Sequence, residues 1–127
     1  MNFNYPKAKV LSEIVTEHSI NTPNKIAVND GAVSYTYADL ENISDRLASK
    51  LITDGVEKGD RVCLIARKSS NIVPFAIAIW KAGAIYSPLD SELPKERLEK
   101  IIKNITPAAI VGNERDKPVF DDLNMSL

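Results

Sequence analysis

Few side chains in this sequence could do chemistry, and they are scattered. Asp90 follows the run Ala84 to Leu89, and a carboxylate just past a buried strand is where α/β proteins often place function. The same residue can instead bond its own downstream backbone through Ser91 and beyond, and it is read here as that turn cap. Arg67-Lys68-Ser69-Ser70 joins an apolar run to an apolar helix, so its hydroxyls, cations and free N–H groups could hold an anion. Nearly every strand-to-helix loop offers as much, and Ser69 or Ser70 is expected simply to cap the helix. His18 stands alone at the end of a surface helix and is read as a helix-end or solvent-facing group rather than a base. Cys63 lies inside the apolar run Val62 to Ala66, with nothing basic beside it to lower its pKa, so it is expected to be a buried structural thiol. As the sole cysteine it excludes a disulfide within the chain. Gly31, Gly55, Gly59, Gly83 and Gly112 are dispersed and build no phosphate cradle from adjacent residues. No histidine-cysteine cluster suggests a metal. Accordingly no catalytic, cofactor-binding or metal-binding residue is assigned.

The elements that would position these groups follow from periodicity. Lys9 to about Ser19 carries Val10, Leu11, Ile14 and Val15 at helical spacing and reads as an amphipathic helix. Ile26-Ala27-Val28, the turn signal Asp30-Gly31 and Val33 to Tyr35 predict a small hairpin. Thr36 with Asp39 three residues on forms a capping-box variant opening a helix. Leu40, Ile43, Leu47 and Leu51 make that helix's apolar stripe, Glu41, Asp45, Arg46 and Lys50 its solvated face, and Gly55 its stop. Val62 to Ala66 is apolar without alternation, as expected of a central parallel strand covered on both faces. Pro74 is tolerated in the first turn of the helix Ile72 to Trp80, which is apolar nearly all round and predicts burial between layers.

Gly83 stands where that helix needs a left-handed residue, and Ala84 to Leu89 then runs as a strand whose pairing should stop near Pro88. Trp80 and Tyr86 read as core or interface aromatics. Pro94 opens a last helix with Leu98, Ile101, Ile102 and Ile105 on its apolar face, Thr106-Pro107 breaks it, and Ala108 to Val111 is a final strand. The sum is an α/β fold: a three-layer-like parallel sheet with flanking helices and a small N-terminal hairpin over residues 1–112, followed by a weakly ordered tail over 113–127.

The chain has 127 residues and a formal net charge of -1, one ordinary domain without the electrostatic footprint of a nucleic-acid or anionic-membrane partner. No apolar run approaches a membrane span and the first residues lack a secretory pattern, so a cytoplasmic protein is expected.

Two segments resemble a known family. Trp80-Lys81-Ala82-Gly83-Ala84-Ile85-Tyr86-Ser87-Pro88-Leu89-Asp90 is similar to the second signature motif of the amino-acid adenylation domains of nonribosomal peptide synthetases, Leu-Lys-Ala-Gly-x-Ala-Tyr-Val-Pro-Leu/Ile-Asp, within the AMP-forming acyl and aminoacyl ligases. Lys81, Ala82, Gly83, Tyr86, Pro88, Leu89 and Asp90 match, whereas Trp80, Ile85 and Ser87 depart. Ser34 to Leu40 is similar to the first motif, Leu-Thr/Ser-Tyr-x-Glu-Leu, with Asp39 replacing Glu. Leu93-Pro94-x-x-Arg97-Leu98 followed by Pro107 resembles what comes after the second motif.

The resemblance covers about residues 9 to 112, the first part of the ligases' N-terminal domain. It implies ATP and Mg²⁺ as cofactors and a carrier protein as partner for the full-length family, with the phosphate loop, acidic ligands and catalytic lysine beyond the stretch that matches. The expected function is that of an N-terminal portion of an amino-acid-activating ligase, without activity alone, whose partner is the remainder of the ligase or a self-association surface. The alternatives are a portion of an acyl-CoA or fatty-acid ligase and a non-catalytic interaction module.

Overall fold

In the computed structural model, which describes residues 11–29, 31–67 and 72–112, the chain begins with α1 (Leu11–Asn21) and a two-stranded antiparallel hairpin, β1 (Ile26–Asn29) and β2 (Ser34–Thr36). There follow α2 (Tyr37–Thr53), β3 (Arg61–Ala66), α3 (Val73–Lys81), β4 (Ile85–Asp90), α4 (Lys95–Ile105) and β5 (Ala109–Gly112). The expected tail over 113–127, the first residues of the expected leading helix, and Lys68, Ser69 and Ser70 lie outside the described residues.

β3 is the middle of a three-stranded sheet in the order β4-β3-β5, parallel to both neighbours, as its unbroken apolar run predicts. Its alternate side chains serve two cores. Val62, Leu64 and Ala66 pack with Leu51, Val56, Ile79 and Val111 on the face covered by α2 and α3. Ile65 packs with Leu98 and Ile102 on the face covered by α4. The three expected layers are therefore present, and Val62, Ile65, Ile79 and Ile102 are fully excluded from solvent. Each such side chain contributes roughly 1.5–3 kcal/mol by leaving water. A third cluster, Val15, Leu40 and Ile77 with Val28 and Tyr35, ties α1 and the hairpin to the rest.

Local signals placed the helix ends. Thr36 caps α2: its hydroxyl accepts the Asp39 N–H at 3.1 Å while the Asp39 carboxylate accepts the Thr36 N–H at 3.0 Å. α2 and α3 end alike. Gly55 and Gly83 take φ of 104° and 77°, and their N–H groups donate to the carbonyls of Ile52 and Trp80. The next residues, Val56 and Ala84, donate to Leu51 and Ile79, which completes the paired bonds of a Schellman ending at each helix. α4 instead ends on Thr106, a non-glycine residue at φ 49°, with Pro107 behind it.

Several expectations are corrected. The expected return strand Val33 to Tyr35 is shifted by one residue to Ser34–Thr36, and the Gly31 N–H is held by Asn29 Oδ1 at 2.9 Å, while Asp30 lies outside the described residues. Of the expected stripe of α2, Leu40 and Leu51 are buried and Leu47 packs partly buried against the core, but the fully buried face turns to Ser44 and Ala48, because small residues let α3 pack close. Ser44, wholly buried, satisfies its hydroxyl on the Glu41 carbonyl at 3.2 Å. Pro94 stands at the cap of α4, one position before the first turn.

Pairing of β4 also does not stop at Pro88. It continues through Leu64↔Pro88, Ile65↔Leu89 and Ala66↔Asp90. The N–H groups of Ile85 and Ser91 both donate toward β3, to the carbonyls of Asp60, just before it, and Ala66, its last residue. Alternation along a strand then turns the backbone of Pro88 away from β3, so the missing donor falls on the outer edge of the sheet.

Candidate functional site

The carboxyl ends of β3 and β4 frame a cavity of ≈ 340 Å³. Its apolar wall is Leu64, Ala66, Ile72, Tyr86 and Pro88, and its charged members are Arg67 and Asp90. Asp90 is committed to the turn predicted for it: Oδ1 accepts the Glu92 N–H at 2.9 Å and its carbonyl accepts the Leu93 N–H at 3.1 Å. The neighbouring α3 is not capped by a serine. Its cap falls at Ile72, which makes no side-chain cap bond, and Pro74 occupies the first turn, where a missing N–H costs nothing.

The opposite ends of the same elements are closed by a polar cluster that sequence reasoning missed. Lys81, the second-motif lysine, leaves the last turn of α3 and bonds the Glu41 carboxylate and Asp45 Oδ1 of α2, the latter at 2.7 Å. Glu41 also accepts hydroxyl bonds from α1, at 3.0 Å from Thr16 and 3.4 Å from Ser19. The Lys81 and Glu41 side chains are only 12% and 16% exposed. Glu41 is therefore not on the wet face expected of it, whereas Asp45 stays exposed, and both share one cation 36 to 40 positions downstream. Lys50 does lie in solvent, paired with Asp54 at 3.2 Å. The only hint in the sequence was that Glu41 and Asp45 sit four apart, on one side of a helix.

His18 stacks on Tyr37 with ring centroids 4.8 Å apart. Cys63 is fully buried, and burial pushes its thiol up to about 11, the reverse of what a nucleophile needs. Tyr86 meets Trp80 edge-on at 5.7 Å, and its hydroxyl is pushed above the ordinary tyrosine range by burial. Trp80 remains 38% exposed, so α3 is not buried all round. Among the described residues no group of three or more His, Cys, Asp or Glu side chains could hold a metal ion, and no helix is long and apolar enough to cross a membrane. ATP and Mg²⁺ are implied for the full-length family; among the described residues the one carboxylate lining the cavity at the strand ends already accepts a turn bond through Oδ1.

The AMP-binding enzyme family matches residues 15–125 of this sequence. The chain belongs to that family. Similar proteins include malpinin synthetase of Mortierella alpina, 35% identical over 90% of this chain and 2% of its own length. Syringomycin synthase SyrB1 of Pseudomonas syringae pv. syringae is 32% identical over 91% of this chain and 19% of its own length. The chain thus spans a small part of the curated relatives it matches. Among solved structures, the four-domain nonribosomal peptide synthetase holo-AB3403, bound to AMP and glycine, superposes with a TM-score of 0.80 at 28% identity over 94% of this chain and 9% of its own. The synthetase FmoA3, bound to α-methyl-L-serine-AMP, gives 0.83 at 24% over 94% and 13%. This member of the AMP-binding enzyme family accordingly contains part of an adenylation domain of the nonribosomal-peptide-synthetase type, with the α/β fold of the adenylate-forming ligases' N-terminal domain.

Proposed function

We propose that this chain supplies framework to an amino-acid-activating, AMP-forming ligase that adenylates a carboxylate with ATP and Mg²⁺ for transfer to a carrier thiol in the cytoplasm. In this reading residues 1–112 act as one structural unit that holds no catalytic residue, and the chain alone is inactive. The observation that carries it is how the second motif is consumed by architecture: Lys81 by ion pairs, Gly83 by the helix ending, Tyr86 by packing, Asp90 by its turn. The amino-acid branch is supported by the peptide synthetases among the relatives. A fatty-acid ligase reading has a fold match in its favour, the fatty acid AMP ligase of Legionella pneumophila, at a TM-score of 0.72 and 22% identity. ATP–pyrophosphate exchange on the purified chain tests the reading: no exchange is expected with any amino acid, and amino-acid-dependent exchange above background overturns it. Exchange driven by a fatty acid instead would favour the second branch.

A further inference from the structure

α1, α2 and α3 leave a groove of ≈ 670 Å³ on the side away from the sheet, separate from the cavity at the strand ends. Among the described residues its charged lining is three carboxylates, Glu13, Glu41 and Asp45, against one ammonium, Lys81. Lys81 is spent on Glu41 and Asp45, so the groove keeps a negative excess, and Asp45 remains 58% exposed. Two large apolar side chains stand in this polar setting: Ile52 at 55% exposure and Trp80 at 38%. Trp80 is held from below by its edge contact with Tyr86, which makes it a pre-positioned anchor rather than a mobile one. A fixed aromatic with an aliphatic neighbour and acidic surroundings is complementary to one kind of surface, apolar anchors flanked by cations.

The geometry points to this groove as a docking site for a cationic amphipathic helix of a partner protein, its apolar face on Trp80 and Ile52 and its lysines or arginines beside Glu13 and Asp45. Trp80 is the only tryptophan of the chain, so its fluorescence reports occupancy without a label. The test titrates the full chain with a synthetic lysine-leucine amphipathic helix at low salt, using its glutamate-leucine counterpart as control. A saturable blue shift of Trp80 emission is expected with the cationic peptide alone, weakening as salt rises. Glu13→Lys and Ile52→Ser, checked for folding by circular dichroism, should each weaken binding by about tenfold. No saturable shift, equal binding of the two peptides, or unchanged affinity in both variants overturns the proposal. A blue shift that grows with protein concentration in the absence of peptide also overturns it, in favour of a second copy of the chain.

Discussion

The two ends of β3, α3 and β4 differ in how their polar groups are used. At the end where α3 stops, the backbone is closed by the Gly83 turn, whose carbonyl also accepts the Gly59 N–H at 2.9 Å, and the cation of Lys81 is neutralised by α2. At the other end the N-cap residue of α3, Ile72, makes no side-chain cap bond, a cavity stands open, and the one carboxylate among its described lining residues serves a turn. The motif by which the family is recognised runs from the first end to the second. Most of its matching residues act at the closed end or within the sheet, which means the pattern marks a joint in the scaffold. In α/β proteins the open, carboxyl ends of strands are the usual place for ligands. Here the described lining is mostly apolar, with Arg67 and Asp90 as its charged members.

If the closed end is the stronger region, breaking it should cost far more than altering the open end. Lys81→Met leaves Glu41 short of its cation in a site where that carboxylate is 16% exposed, and should destabilise the chain by about 3 kcal/mol in urea unfolding. Gly83→Ala comes next. A Cβ there meets the Lys58 side chain at 3.4 Å and sits at φ 77°, so a loss of roughly 1–2 kcal/mol is expected by the same measurement. Thr36→Ala removes one half of the capping box that starts α2 and should cost about 1 kcal/mol, with a fall in far-ultraviolet helix signal near the midpoint. Asp90→Asn, at the open end, keeps a side-chain oxygen for the Glu92 N–H and should move stability by under about 0.5 kcal/mol. A loss at Asp90 as large as that at Lys81 would erase the distinction between the ends.

What could be read from the sequence was what is local. The capping box at Thr36 and Asp39, the glycine stops at Gly55 and Gly83 and the unbroken run Val62 to Ala66 declare their roles within a few residues. What could not be read depends on neighbours. The buried face of α2 turns toward Ser44 and Ala48 because of α3, which no periodicity within α2 encodes. Pro88 fits a paired strand only because β4 lies at a sheet edge and the residue has the outward parity. Lys81 finds Glu41 and Asp45 across 40 and 36 positions, so its role appeared only with the fold. The first and second motifs, separate in the sequence, meet through that contact, since α2 is opened by the first and α3 closed by the second.

The most direct test of that meeting is a double-mutant cycle on Lys81→Met and Glu41→Gln, with urea unfolding of the two single variants, the double variant and the parent chain. A coupling of about 1–3 kcal/mol is expected, the double variant being less damaged than the sum of the singles. Additive losses would contradict the account, because the two motif regions would then be joined by packing alone.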